Sequence, residues 1–262
     1  MASGDKLVVT LEGGIKQITF NRPERRNSVD AETVELLHEA IDRSAHDDSK
    51  VVILTGAGDA FCAGADLQGT GSADIRSIDV TASLRERTNP TILAMRNLKK
   101  PVIARVHGAA AGVGCNYALA CDIIIASDKA RFGQVFVKIG LMPDGGSTYF
   151  LPRLVGYAKA FELMATGDLI SAHEALALGM INRVVAFEEL DSAVDELANR
   201  LAGSPSIALA KIKEGLNSGA HSDLATALDF EAVNQADCFR SKDFAEGVRA
   251  FLEKRKPQFR GE

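Results

Sequence analysis

A chain of 262 residues with 46% hydrophobic and 25% charged side chains has enough apolar content for one large α/β core plus a modest appendage, which excludes a disordered protein. Its net charge of −5, with acids and bases interspersed, offers no broad basic face and excludes nucleic acid as the expected partner. Four cysteines, Cys62, Cys115, Cys121 and Cys238, show no paired spacing, which argues against a zinc site or a disulfide framework and fits a reducing compartment.

The first residues, Met1 to Lys6, lack the apolar stretch of a signal peptide. Alternation then predicts strands over Leu7 to Leu11 and Ile15 to Phe20, joined by a Glu12-Gly13-Gly14 hairpin and ended by Asn21-Arg22-Pro23. From Asp30, Val34, Leu37 and Ile41 recur at helical spacing, and Val51 to Thr55 is the continuous apolar run of a strand buried on both faces. Phe61-Cys62-Ala63-Gly64-Ala65-Asp66 follows as a turn of small residues. Gly69 to Ser83 is polar and predicts a mobile surface segment, either a lid and specificity element or a plain excursion, leading into a helix near Leu84 to Leu98.

Pro101 to Val106 and Ile123 to Ala126 read as further buried strands around a helix of about Gly112 to Ala120. The intervening run Val106-His107-Gly108-Ala109-Ala110-Ala111-Gly112-Val113-Gly114 is again built from small residues. The longest nearly uncharged stretch, Gly108 to Cys121, is too short to span a bilayer, so a soluble, cytoplasmic protein with no membrane partner is expected. After Val185 the strands stop, and helices are predicted over Leu190 to Leu201, Ile207 to Gly215, Leu224 to Phe239 and Phe244 to Lys254. In the last of these Phe244, Val248, Phe251 and Leu252 form an apolar stripe that its own core or a neighbouring subunit must cover. Pro205 marks a hinge, dividing a core over 1–202 from a helical region over 203–262.

Two small-residue turns, each following a β-branched strand, are able to aim two main-chain N–H groups at one oxygen and so hold an oxyanion; the same residues also simply permit close packing. The histidines, His38, His46, His107, His173 and His221, form no metal-binding spacing, and neither a phosphate-binding loop nor a serine nucleophile elbow is present. Gly112-Val113-Gly114 lacks the third glycine of a dinucleotide fingerprint. Asp144, in Gly140-Leu141-Met142-Pro143-Asp144-Gly145-Gly146, has an ordinary reading as a turn residue and a sharper one as a general base whose carboxylate is desolvated by Phe136, Leu141 and Met142.

Taken together, Ile18-Thr19-Phe20-Asn21-Arg22-Pro23 with Asn27, the two small-residue turns, Cys121-Asp122-Ile123, Phe132-Gly133 and Leu151-Pro152-Arg153-Leu154-Val155-Gly156 resemble the enoyl-CoA hydratase/isomerase, or crotonase, superfamily over nearly the whole chain. The resemblance implies an α/β fold, a crotonase-like spiral of β-β-α turns with a C-terminal helical trimerisation region, and a homotrimer or dimer of trimers. It implies an acyl-CoA thioester substrate whose coenzyme A is the only cofactor-like group, with no metal. By matching position the oxyanion hole falls on the N–H groups of Ala65 and Val113, although the family commonly has glycine at the latter. The two glutamates of the hydratases fall on Asn116 and Phe136, neither of which can act as a carboxylate. Asp144 matches an aspartate that serves as base in some double-bond isomerases and as nucleophile in aryl-CoA dehalogenases. The stretch Lys138 to Asp144 and the ending Phe251 to Phe259 look most like the phenylacetate-pathway epoxide isomerase branch. The resemblance thus points to an enoyl-CoA isomerase shifting a double bond or ring epoxide with one aspartate as base; a hydratase with an atypical site and a non-catalytic binding protein are the alternatives. Ala63, Asn116, Phe136 and Leu141 are expected around the substrate. Arg25 and Arg26, with Lys254 and Lys256 reaching over from an adjoining subunit, are candidates for the coenzyme A phosphates.

Overall fold

The computed structural model describes residues 5–67 and 79–262. It opens with the hairpin β1 (Leu7–Glu12) and β2 (Ile15–Phe20), then α1 (Ala31–His46) and β3 (Val51–Gly56). A helical run follows from α2 (Val80–Ser83) through a π-helical turn (Leu84–Thr88) to α3 (Asn89–Asn97). Next come β4 (Val102–Val106), β5 (Ala109–Ala111), α4 (Val113–Ala120), β6 (Ile123–Ser127) and β7 (Arg131–Gly133). A 3-10 turn (Val135–Ile139) leads to α5 (Ser147–Val155), α6 (Tyr157–Thr166), β8 (Leu169–Ser171), α7 (Ala172–Ala177) and β9 (Arg183–Val185). Beyond these lie only helices: α8 (Leu190–Ala202), α9 (Ser206–Gly219), α10 (Leu224–Arg240) and α11 (Lys242–Leu252), after a short 3-10 turn at Phe187–Glu189.

Glu12 pairs with Ile15, so Gly13 and Gly14 alone make the hairpin turn, and both have the positive φ that such a two-residue turn demands. Helix α1 starts where the Asp30 carboxylate accepts from the Thr33 N–H at 2.9 Å, and buries Val34, Leu37 and Ile41 at the predicted spacing. The expected polar segment after Gly69 falls largely on residues 68–78, outside the described residues. Its helix begins earlier than the sequence suggests, at Val80, where the Asp79 side chain caps the Ala82 N–H.

The main sheet has the order β1-β2-β3-β4-β6-β9, parallel apart from the β1–β2 hairpin. Every residue of β3 is buried, as its unbroken apolar run predicts. Val52 and Leu54 join the larger core cluster with Leu37, Ile41 and Tyr117, while Val51 and Ile53 join the other one with Leu190, Val194 and Leu197 of α8. Each such side chain contributes about 1.5–3 kcal/mol on burial.

A smaller sheet, β5-β7-β8, escaped the sequence reading because its strands are three residues long and one of them is all alanine. Single bridges extend the same weave: Cys62 pairs with Ala110, and Val29 with Ala65. Thus β4-β5-α4 and β6-β7-α5 are successive turns of a β-β-α spiral, and each passage from the main sheet to the small one makes a tight corner. The run Val106 to Gly114 singled out in the sequence spans the β4–β5 corner, β5 and the start of α4, and the run Phe61 to Asp66 is the segment bridged to β5.

The C-terminal helices follow Ser204-Pro205. Lys213 of α9 is buried, and its ammonium donates to Asp122 Oδ2 (2.7 Å) and to the Met95 carbonyl (3.1 Å), fastening α9 to the spiral. On α11, Phe251 and Leu252 remain 83% and 73% exposed in the single chain, and Phe244 and Val248 are also exposed. Among the described residues no helix is long and apolar enough to cross a membrane.

Candidate active site

The first turn is held by side chains that the sequence placed in the Asn21 to Asn27 motif. Buried Asn27 donates from Nδ2 to the Ala57 and Ala60 carbonyls, both at 2.7 Å, and accepts from the Arg22 N–H at 2.9 Å. Arg22 reaches the Ser28 carbonyl (2.8 Å) and the Asp66 carboxylate (2.6 Å), so one arginine ties the Asp66 end of the turn to the adjoining Ser28 segment. His107 ties the second turn to the first. Its Nδ1 accepts from the Arg105 guanidinium at 2.9 Å, which leaves Nε2–H to donate to the Gly58 carbonyl at 2.9 Å, and burial lowers its pKa so that the ring stays neutral.

The two turns touch at glycine. A Cβ at Gly64 would stand 2.9 Å from the Ala111 carbonyl oxygen, and one at Gly112 would stand 3.8 Å from the Gly64 Cα. Their φ angles, +106° and +55°, are likewise open chiefly to glycine. Behind them α4 packs so closely on the first turn that a Cβ at Gly114 would lie 2.3 Å from the Cys62 carbonyl oxygen.

Ala65 and Val113 each come one residue after a touching glycine. In the Val29–Ala65 bridge the Val29 N–H donates to the Gly64 carbonyl and the Asp66 N–H to the Val29 carbonyl, so the pairing uses residues 64 and 66. The Ala65 N–H therefore points away from it. Val113 is the first residue of α4, where an N–H has no intrahelical partner and the helix dipole favours negative charge. Among the described residues neither amide donates to a protein acceptor. Two unspent donors on contacting turns are what an oxyanion requires.

Asp144 lies against the same helix N-terminus. A Cβ at its neighbour Gly145 would meet Val113 Cγ2 at 3.2 Å and Asn116 Cβ at 3.4 Å. The Asp144 carbonyl accepts from Asn116 Nδ2 at 2.8 Å and from the Ser147 N–H at 3.2 Å. Its carboxylate Oδ1 is buried without a partner among the described residues, and that desolvation raises the pKa above the usual carboxylate value. A buried carboxylate with a spare oxygen is equipped to take a proton.

The Enoyl-CoA hydratase/isomerase family model matches residues 10–262. The chain belongs to that family. It is 42% identical to the 1,2-epoxyphenylacetyl-CoA isomerase of Escherichia coli, covering 96% of this chain and 97% of that one. It is 37% identical to the short-chain-enoyl-CoA hydratase of Clostridium acetobutylicum, with 96% of both covered. Among solved structures, an enoyl-CoA hydratase of Bacillus anthracis superposes with a TM-score of 0.92 at 35% identity, covering 98% of this chain and all of that one. The α/β crotonase fold is therefore present, and the protein is an acyl-CoA enzyme of the enoyl-CoA hydratase/isomerase family.

In this hydratase/isomerase, the other residues singled out in the sequence take varied places. Asn116 is fully buried and its amide is committed at both ends, with Oδ1 accepting from Gln134 Nε2 at 2.7 Å, so it braces the Asp144 turn rather than presenting a free group. Gln134 was not singled out in the sequence, because nothing in a single sequence marks a glutamine after a three-residue strand. Phe136 is buried beside Gly112. Leu141 and Met142 are 53% and 73% exposed in the single chain, while Asn116 of α4 bonds the Asp144 turn. Ala63 donates its N–H to the Arg26 carbonyl, which brings the Arg25–Arg26 turn beside the Phe61 to Asp66 turn, and buried Arg25 Nη1 has no partner among the described residues. Lys254 and Lys256 are exposed beyond α11, and among the described residues no hydrogen bond or ion pair joins their side chains to either turn. Cys62 and Cys115 are buried, which pushes each thiol up to about 12 and leaves both without a thiolate role.

Proposed function

We propose that this enzyme is an enoyl-CoA isomerase in which the Ala65 and Val113 amides hold the thioester oxygen and Asp144 carries a proton from one carbon of the acyl group to another. The observation that carries this reading is the unpartnered, desolvated Asp144 carboxylate packed against the helix that begins with Val113. Removing a proton next to the thioester carbonyl loads negative charge onto its oxygen, and a well-placed amide donor is worth about 3 kcal/mol against that charge. A double-bond or ring-epoxide shift then returns the proton on the same face, for which one carboxylate suffices. Hydration needs a second group to activate water, and the positions that resemble those of the hydratase glutamates hold Asn116 and Phe136.

A hydratase remains the second reading, favoured by the name of the relative that is 37% identical. The two separate in heavy water. Incubation with a 3-enoyl-CoA should give the 2-enoyl isomer, with deuterium only to the extent that the Asp144 acid exchanges with solvent before returning its proton and with no product heavier by a molecule of water, and Asp144→Asn should lose this conversion by about 10²-fold or more. Full activity in Asp144→Asn rejects Asp144 as the base, and a predominant hydroxyacyl product rejects the isomerase.

Arg25 and Arg26, beside the first turn, are proposed to meet the coenzyme A phosphates. The exposed α11 stripe is proposed to be covered in a homotrimer or dimer of trimers, which also offers Lys254 and Lys256 of one subunit to the site of the next. Light scattering on the purified protein reads the assembly directly, and a monomer would reject it. The acyl group is proposed to belong to the ring-bearing class of the phenylacetate-type branch, given the 42% identity to the epoxide isomerase.

A further inference from the structure

Tyr117 follows Val113 by one helical turn, so its side chain shares that residue's face of α4. It is completely buried, its ring packing on Phe20 at 5.9 Å between centroids, yet its hydroxyl has no partner among the described residues. Two neighbours share this condition: Asp144 Oδ1, and the Oγ of Ser147, whose own N–H is bonded to the Asp144 carbonyl. Three buried, unpaired oxygens thus belong to one helix face and the turn packed on it. A buried polar group left unpaired costs about 1–3 kcal/mol, so natural sites keep one only where something else completes it. Phenylalanine would fill the same space without that cost.

We propose that the Tyr117 hydroxyl is a substrate-reading group that donates a hydrogen bond to an oxygen on the acyl part of the substrate, such as an epoxide, hydroxyl or carbonyl near the carbon that Asp144 deprotonates. This rests on the acyl-CoA reading of the site and narrows it to oxygenated acyl groups. Burial and the nearby Cys62 and Asp144 hold the phenol in its protonated form, so it stays a donor at any working pH. No hydrogen bond joins this hydroxyl to Asp144, whose Oδ1 is likewise unpartnered among the described residues, which leaves the hydroxyl for the ligand.

The test is binding, which needs no turnover and so fails independently of the isomerase reading. Calorimetric Kd values are measured for (2-hydroxyphenyl)acetyl-CoA against phenylacetyl-CoA, and for 3-hydroxyhexanoyl-CoA against hexanoyl-CoA. The wild type should prefer the oxygenated member of at least one pair by about tenfold or more, and Tyr117→Phe should erase that preference. Thermal denaturation of Tyr117→Phe should show no loss of Tm, because its hydroxyl has no protein partner to lose. A wild type indifferent to both pairs, or a Tyr117→Phe variant that keeps the preference, overturns the proposal.

Discussion

Backbone donors cannot be deleted by changing their own side chains, but the contact between Gly64 and Ala111 offers a way to displace one. In Gly64→Ala the new Cβ must stand 2.9 Å from the Ala111 carbonyl oxygen, where an ordinary contact needs at least 3.4 Å, and it must do so at a φ of +106°. The conformational strain alone costs about 1–3 kcal/mol. Relief comes only by parting the two turns by several tenths of an ångström, since the other neighbour is the Gly112 backbone at 3.8 Å. That separation moves the Ala65 amide away from the thioester oxygen it is proposed to share with Val113. Losing one such donor costs about 3–4 kcal/mol in the barrier, or about 10²–10³ in kcat, with little change in KM because the oxygen is most negative in the transition state. Gly13→Ala supplies the control: its φ is +56°, and a Cβ there meets nothing within 4 Å, so it carries strain without displacing the site. Formation of the 2-enoyl isomer from a 3-enoyl-CoA gives the rate, and thermal denaturation the stability. Both variants should lose stability, and only Gly64→Ala should lose kcat. If Gly64→Ala turns over within threefold of the wild type, the thioester oxygen is not held between these turns.

Asp144→Asn should lose the proton transfer and yet be at least as stable as the wild type at neutral pH. A raised carboxyl pKa in the fold means the native state holds its proton more tightly than the unfolded chain, so stability falls as pH rises from the unfolded to the folded pKa. The advantage of the variant should therefore vanish on acidification below the ordinary carboxylate range, as read by Tm against pH. The same shift places the acid limb of the kcat/KM profile, which reports the free enzyme, above the usual aspartate pKa, since Asp144 must be ionised to act as base; a limb at or below that value contradicts the desolvated carboxylate. Asn116→Ala removes the donor to the Asp144 carbonyl and strands Gln134 Nε2, a loss of about 1–3 kcal/mol in denaturant unfolding. The loosened turn should lower kcat more than it raises KM, and an unchanged kcat would show that the carboxylate is positioned without this brace.

Much of this architecture was legible in the residues because its signals are local. The Gly13-Gly14 turn, the helical spacing of Val34, Leu37 and Ile41 in α1 and the unbroken apolar run of β3 each express a constraint that a few neighbouring residues satisfy among themselves. The small strands β5, β7 and β8 were not legible, because three residues carry no periodicity and owe their pairing to partners far along the chain. At the site, the sequence named Ala65, Val113 and Asp144, and marked glycines where backbones approach. Tertiary structure alone decided that Gly64 meets Gly112, that Asn116 is spent on bracing Asp144 with Gln134, and that Tyr117 is left without a partner. Leu141 and Met142, apolar neighbours in sequence, stay largely exposed in the single chain. The reason is physical: chain neighbours fix backbone conformation, whereas desolvation and hydrogen-bond satisfaction depend on which distant groups the fold packs around an atom.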